Sequence, residues 1–266
     1  MARRAMITTW SSGLADAHMD EGILVQLGVL IRRHPWWWAR TRLTLALLDR
    51  LGIRPPARVL DAGCGWGVTL ESLERAGYQA IGLDVSRSML ERLDRPGRAL
   101  IEADLAQPVP AAFEPCDAVL ALDVIEHLDD DRAAVERLGR LVRPGGLLVL
   151  SVPARPEIYT EFDAIQGHRR RYLPETLSAV FAGSGLQVES IFWWGQWLGP
   201  VLQRQRRRVR SQPGEPASAT YRRYLRLPPW PIPWGLRLAF ALEHQRTLDR
   251  KLSTGTSLFA LARRGC

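Results

Sequence analysis

The sequence predicts an α/β fold: a doubly wound, seven-stranded, mostly parallel sheet with N-terminal helices and an α-rich insertion before the last strand. Three observations predict this fold. From residue 57, short apolar runs alternate with amphipathic segments, which is typical of β-α units on a parallel sheet. The first apolar run leads into a glycine-rich turn at 63–67. An Arg-Pro-Gly-Gly stretch at 143–146 then ends an amphipathic segment just before another apolar run.

The elements follow in order along the chain. Segments with the length and apolar content of strands are 58–62, 79–84, 98–102, 117–122, 147–152, 186–192 and 255–263. A helix is predicted at about 67–76, and a second helix begins after Ser86, whose hydroxyl suits an N-cap. A third helix spans about 130–141, and a fourth starts at Pro174 because proline is favoured in the first turn.

These elements divide the chain into four regions. They are an N-terminal helical cap (1–56), an α/β core (57–194), a basic, Trp/Pro-rich insertion (195–254) and the last strand with the C-terminus (255–266). The net charge of +8 is uneven across them. Residues 59–200 carry 13 basic and 21 acidic side chains, whereas residues 201–266 carry 14 basic and three acidic ones. The core is therefore acidic and the C-terminal quarter strongly basic.

Composition excludes several classes of protein. At 46% hydrophobic and 24% charged residues, the chain is not a disordered one. Cys64, Cys116 and Cys266 lie far apart without a CxxC pair, which argues against a disulfide scaffold or a zinc ribbon. No uncharged stretch reaches the ~20 residues of a spanning helix, and acidic residues precede the first apolar run, unlike a signal peptide. We expect a cytoplasmic protein, with peripheral attachment to the inner face of the membrane as an open alternative.

The glycine turn after the first strand predicts a ligand site. In Asp61-Ala-Gly-Cys-Gly-Trp-Gly67 the glycines permit positive φ and close approach of a ligand, and a helix N-terminus follows. The G-x-G-x-G spacing differs from the G-x-G-x-x-G of dinucleotide-binding enzymes. Asp84 ends the second strand, where a carboxylate accepts ribose hydroxyls, and Asp104 follows the third, where one accepts an adenine amino group. All three features belong at the carboxyl edge of the sheet and favour an adenosyl ligand.

The residues 57–192 and 255–263 resemble the class I S-adenosylmethionine-dependent methyltransferases. VLDAGCGWG is similar to the family's first motif, Gly82-Leu83-Asp84 to its second-strand motif and Ala103-Asp104-Leu105 to its adenine-contacting motif. DAVLALDVIEHL at 117–128 resembles the branch of ubiquinone-biosynthesis O-methyltransferases. The resemblance implies a Rossmann-like sheet whose last strand is antiparallel, with S-adenosyl-L-methionine as cofactor. It implies that the cofactor lies against Asp61, Gly63, Cys64, Gly65, Asp84, Val85, Asp104, Leu105 and Leu122, with Asp61 and Leu122 near its methionine part.

A polar block after the fifth strand holds the candidate catalytic residues. Asp163 and His168 are positioned to orient or deprotonate an acceptor, and Arg169, Arg170 and Tyr172 to bind an anionic group on it. The alternative is that the histidine and arginines tie this loop to the acidic domain. The block resembles the GH-x-RRY segment of many bacterial methyltransferases, which leaves the acceptor open.

A metal site is a weaker expectation. Asp123, Glu126 and His127 would share one face if they formed a helical turn, and would offer two oxygens and a nitrogen. Some quinone O-methyltransferases bind Mg²⁺ through a similar arrangement, whereas many relatives carry Glu-His without a metal. We assign no metal here.

Nine of the ten tryptophans lie in residues 1–56 and 193–234, outside most of the core. In the insertion they interleave with prolines and arginines, including the run Arg204–Arg210. This pattern of tryptophans and arginines supports three hypotheses: a lid over the acceptor pocket, a surface that binds anionic membranes, or a surface that binds nucleic acid. The nucleic-acid reading is the least favoured.

The expected activity is transfer of a methyl group to a small-molecule or lipid-linked acceptor, at oxygen ahead of nitrogen or carbon. The alternatives are a nucleic-acid methyltransferase and a non-catalytic regulatory module that binds S-adenosylmethionine. The chain has no Asn/Asp-Pro-Pro-Tyr-type motif to orient a base amine, which counts against the first alternative.

Overall fold

An eight-stranded sheet runs through the centre of the computed structural model, which describes residues 7–11, 21–110, 112–197, 199, 214–226 and 231–265, with the side chains of 21–26 excepted. The strands are β1 Thr8–Thr9, β2 Arg58–Ala62, β3 Gln79–Asp84, β4 Ala99–Glu102, β5 Cys116–Leu122, β6 Val142–Pro153, β7 Leu186–Trp194 and β8 Ser257–Arg264. The helices are α1 Glu21–Arg33, α2 Pro35–Arg50, α3 Val68–Arg75, α4 Arg87–Leu93, α5 Asp131–Leu141, α6 Glu161–Ile165, α7 Pro174–Val180, α8 Ala217–Leu225 and α9 Ile232–Leu248.

The strand order β1-β4-β3-β2-β5-β6-β8-β7 confirms the predicted α/β class and its mostly parallel sheet. β8 lies antiparallel between β6 and β7, as the family resemblance implied. The predicted count of seven strands was wrong by one. The extra strand, β1, pairs Thr8 with Ile101 and Thr9 with Glu102 at the sheet edge. Two residues carry no periodic pattern, so this strand left no signal in the sequence.

Helices cover both faces of the sheet, which explains why its inner strands read as unbroken apolar runs. Along β6, Leu148 and Leu150 pack against α5 and α7, and Leu147 and Val149 face α2 and α9. All four of these side chains are buried.

The order of the strands reverses between β2 and β5, because β3 and β4 lie on one side of β2 and β5 and β6 on the other. At such a switch point the loops leaving the two neighbouring strands diverge and open a crevice at the carboxyl edge. The glycine turn after β2 lies at this point.

The N-terminal helices and the described part of the insertion pack together. Leu27 and Ile31 of α1 form a buried cluster with Tyr221 and Leu225 of α8, and Trp66 of the glycine turn packs against it. We call this packing of α1 on α8 the lid; that it covers an acceptor pocket stays a prediction. The run Arg204–Arg210 and Trp230 lie outside the described residues. None of the described helices combines the length and apolar content needed to cross a bilayer.

Candidate functional site

The glycine turn is shaped by its three positive-φ residues. Gly63, Gly65 and Gly67 have φ values of 75°, 44° and 72°, a region that side chains other than glycine rarely adopt. A Cβ on Gly63 would lie 2.5 Å from Cγ2 of Val124, whereas one on Gly65 would meet no atom within 4 Å. The turn is therefore packed on its inner side and open at Gly65, where a ligand can approach the backbone.

Asp84 holds the glycine turn and the loop after β3 together. Its Oδ2 accepts the Gly65 amide at 2.7 Å, and its Oδ1 accepts the Ser86 amide at 2.9 Å. These two bonds fix the orientation of the carboxylate beside the open side of the glycine turn. Ser86 caps α4 as predicted, because its hydroxyl accepts the Met89 amide. Val85, between these two residues, is half-buried.

Asp61 lies beneath the glycine turn as a buried carboxyl group. Its Oδ2 has no hydrogen-bond partner among the described residues. Burial raises the pKa of Asp61 to about 7, even though the positive charge of Arg40 lowers it, and the charge of Asp84 raises it further. Burial likewise raises the pKa of the Cys64 thiol, which fits a packed residue rather than a nucleophile. The site thus contains a carboxyl group that a cationic ligand would keep ionised.

Asp104 and Leu105 follow β4 on the other side of Asp84. The backbone amide of Asp104 donates to Oγ of Ser11 at 2.8 Å, and its Oδ1 accepts the Ala106 amide at 2.7 Å. Leu105 is buried. The N-terminal segment therefore borders this part of the edge, a contact that the sequence analysis did not anticipate.

Arg40 is a further site residue that sequence reasoning missed. It reaches from α2 to the end of β5, donates to the Leu122 carbonyl at 3.2 Å and forms an ion pair with Asp123. Asp123 has a φ of 58°, and Ser151 donates to its Oδ1 at 3.1 Å. An arginine in an N-terminal helix gives no sequence signal of this role.

The predicted helical turn containing Asp123 does not form. The positive φ of Asp123 directs the chain into a 3-10 helix at Ile125–His127, and Asp123 instead pairs with Arg40. The side chains of Glu126, His127 and His168 lie together, with one ligand atom of each within 4.8 Å of the others. Burial raises the pKa of Glu126 well above its usual range. The cluster thus joins the 3-10 helix to the polar block after β6.

Asp163, predicted as a catalytic residue, is fully buried and heavily hydrogen-bonded. Its Oδ1 accepts from Nε of Arg171 at 2.8 Å and lies 3.1 Å from Nδ1 of His168. Its Oδ2 accepts the Thr160 amide at 2.8 Å and so caps α6. With both oxygens engaged, this carboxylate can orient His168 but is not placed to take a proton from an acceptor.

The predicted anion-binding residues contact groups of the chain itself. Nε of Arg169 donates to the His127 carbonyl at 2.7 Å, and Arg170 forms an ion pair of 3.1 Å with Asp131. The Tyr172 hydroxyl donates to the same Asp131 carboxylate at 2.8 Å. These contacts match the alternative in which the basic block ties its loop to the acidic domain.

Comparison with known proteins agrees with this architecture. A family model described as a methyltransferase domain matches residues 36–191. The ubiquinone biosynthesis O-methyltransferase of Chromobacterium violaceum is 30% identical in an alignment 136 residues long that covers 44% of this chain and 57% of that protein. The malonyl-[acyl-carrier protein] O-methyltransferase of Pseudescherichia vulneris is 32% identical in an alignment 163 residues long that covers 58% of this chain and 61% of that protein. The chain thus spans little more than half the length of these curated relatives.

A solved structure shares the fold over nearly the whole chain. Phosphoethanolamine N-methyltransferase 2 of Haemonchus contortus, in complex with S-adenosyl-L-methionine, superposes with a TM-score of 0.55 at 17% identity. The superposition covers 96% of this chain and 61% of that one. Because the family model matches more than half of the sequence, the chain belongs to the methyltransferase domain family, of the class I S-adenosylmethionine-dependent type.

Proposed function

We propose that this chain binds S-adenosyl-L-methionine at the carboxyl edge of β2, β3 and β4 and transfers the methyl group to oxygen of a small-molecule or lipid-linked acceptor. The observation that carries the proposal is the Asp84 carboxylate, which is fixed by the amides of Gly65 and Ser86 beside the open side of the glycine turn. A preorganised carboxylate at this position suits the two hydroxyls of a ribose. Asp61 would face the cationic methionine part, and Asp104 the adenine.

When bound, the cofactor supplies a sulfonium methyl group that is already activated toward an acceptor lone pair. The task of the chain is then to hold the acceptor in line with that methyl group and to exclude water. The lid of α1 and α8 suits this task because Trp66 of the glycine turn packs against its buried cluster. Phe162 of α6 stacks on Tyr221 of the same lid, with ring centroids 5.3 Å apart. A cover built on this apolar, aromatic cluster would suit an apolar acceptor.

A hydroxyl acceptor must also lose its proton, whereas a carboxylate acceptor need not. We assign the proton-accepting role for a hydroxyl to His168 and a positioning role to Asp163. The contact between Asp163 and Nδ1 of His168 orients the ring and leaves Nε2 on the side of Glu126, 3.9 Å from its Oε1. The two curated relatives are named as O-methyltransferases of ubiquinone biosynthesis and of malonyl-[acyl-carrier protein], which supports transfer to oxygen and leaves both kinds of oxygen as candidates.

Calorimetric titration with S-adenosylmethionine and then S-adenosylhomocysteine tests the cofactor proposal, with Asp84→Asn as the matched variant. We expect binding of both ligands by the wild-type chain and strongly weakened binding by the variant. Equal affinities of the two proteins would refute the site. Transfer of a labelled methyl group into lipid extracts, small-molecule extracts and nucleic acid then separates the acceptor classes. Cofactor binding without transfer to any of them would support the regulatory module instead.

A further inference from the structure

Helix α9 presents a row of large apolar side chains to solvent. Trp234, Leu238 and Leu242 are 64%, 46% and 59% exposed, and their spacing of four residues places them on one side of the helix. We call this row the α9 stripe. The opposite side of α9 is buried, where Phe240 stacks on Trp194 with ring centroids 5.5 Å apart. Single exposed leucines are ordinary on protein surfaces, but a stripe over successive helical turns marks an interaction surface.

Arginines border the α9 stripe. Arg237 and Arg246 lie on α9 itself, and both are exposed. The guanidinium of Arg237 lies 5.5 Å from the ring centroid of Trp38, and that of Arg42 lies 4.9 Å from the same ring. The stripe therefore adjoins a group in which tryptophan is flanked by two cationic side chains.

The acidic side chains of residues 214–265 are engaged in contacts away from the α9 stripe. Glu215 forms an ion pair with Arg223. Glu243 is buried and accepts the Gly195 amide at 2.6 Å. Asp249, just beyond the end of α9, binds Arg50. No described acidic side chain of residues 214–265 is thus left to balance the arginines beside the stripe.

The first half of the stripe lies toward the carboxyl edge of the sheet. Helix α9 runs parallel to α2, because Arg237 lies over Trp38 at the start of α2 and the Leu248 carbonyl accepts from Arg50 at its end, at 3.0 Å. The start of α2 is at the carboxyl edge, where Arg40 binds the Leu122 carbonyl. A partner on the stripe would therefore lie near the side of the molecule that holds the candidate site.

We propose that the α9 stripe docks on the surface of an anionic phospholipid bilayer. Leu238 and Leu242 would enter the boundary of the acyl chains, Trp234 would lie at the level of the headgroups, and Arg237 and Arg246 would bind lipid phosphates. Exposed leucines provide neither the base stacking nor the contacts with the phosphate backbone on which nucleic-acid sites depend. A second copy that docked through its own α9 stripe would bring the same arginines, so a symmetric contact would have no charge complement. The proposal is independent of the methyl-transfer activity.

Sedimentation of the full chain with vesicles tests the proposal. The vesicles contain phosphatidylcholine alone or mixed with phosphatidylglycerol, at low and at high salt. We expect binding to the mixed vesicles at low salt, and weaker binding at high salt or without the anionic lipid. The variant Trp234→Ser/Leu238→Gln/Leu242→Gln should lose about tenfold or more of its partition coefficient, and Arg237→Gln/Arg246→Gln should lose preference for the anionic lipid. The matched control Val188→Gln, an exposed apolar residue on β7, should bind as the wild type does.

Three outcomes would overturn the proposal. The first is failure of the wild-type chain to bind mixed vesicles at low salt. The second is equal binding by the triple variant, when calorimetry shows that it still binds S-adenosylmethionine and is therefore folded. The third is a change of the triple variant from dimer to monomer with vesicle binding unchanged, which would make the stripe a surface between copies of the chain. Loss of vesicle binding with cofactor binding intact supports the proposal whatever the fate of the proposed activity.

Discussion

The substitution Asp61→Asn tests whether the Asp61 carboxyl group serves to bind a ligand or to stabilise the fold. Asp61 is only 3% exposed, and its Oδ2 has no partner among the described residues. Burial raises its pKa from 3.8 to about 7. Asparagine keeps the size of the side chain and one oxygen while it removes the charge.

The pKa fixes the sign and the size of the effect on stability. The folded chain holds this proton more tightly than the unfolded chain, so stability contributed by Asp61 is full below pH 4 and falls as the pH rises toward 7. The shift corresponds to roughly 4 kcal/mol once the carboxyl group is ionised. At pH 8 the unliganded Asp61→Asn variant should therefore be more stable than the wild type, by as much as ~4 kcal/mol. Urea unfolding at pH 5 and pH 8 measures this difference.

The same group should make cofactor binding depend on pH. If the cationic ligand binds only the ionised form, a pKa of about 7 predicts affinity roughly eightfold weaker at pH 6 than at pH 7.5. In Asp61→Asn the affinity should fall about tenfold or more and lose this dependence, since a charged hydrogen bond is worth ~1.5–3 kcal/mol. Calorimetric titration with S-adenosylmethionine at both pH values tests this, with Asp104→Asn as a control that keeps the pH dependence.

A variant that is less stable than the wild type at every pH, and that binds the cofactor with unchanged affinity, would refute this reasoning. Asp61 would then be a structural hydrogen-bonding residue.

Three further predictions concern the loops around the site. Asp84→Ala should weaken cofactor binding about 10–100-fold, because charged hydrogen bonds are lost; calorimetry showing less than a twofold change would contradict it. Gly63→Ala should cost ~1–3 kcal/mol in urea unfolding, since its φ is +75° and the new methyl group would meet Val124. Asp163→Asn should cost ~3–5 kcal/mol by leaving the Arg171 charge buried without its partner. A normal melting temperature with lost turnover would instead make Asp163 catalytic.

Most of the fold could be predicted from the hydrophobic periodicity and the turn residues of the sequence. β2 and β3 begin and end at the residues that the sequence predicts, because their apolar runs are bounded by a charged residue and a turn. β4 and β5 differ by a single residue at one end. The fold class was accessible because each β-α unit repeats the same local signal, and the edge strand β1 was missed because it has none.

The sequence could predict residues of the candidate site only where the end of a strand fixed their position. Asp61 and Asp84 lie at the carboxyl ends of β2 and β3, and Asp104 follows β4, so the parallel topology alone brings them to one edge. Arg40 was missed because its approach depends on the angle at which α2 crosses the sheet. The helical turn expected after β5 failed at Asp123, whose φ is positive where a helix needs negative values.

The antiparallel strand β8 has a consequence for the order of folding. It fills the place between β6 and β7 and pairs with both along most of its length, although Leu147 and its partner Arg263 lie more than a hundred residues apart in sequence. Until residues 257–264 have left the ribosome, β6 and β7 therefore expose unpaired edges. The insertion between β7 and β8 is synthesised before the sheet is complete. A nascent chain of this topology therefore joins β7 to the rest of the sheet last, in a step that a truncation before Ser257 would abolish.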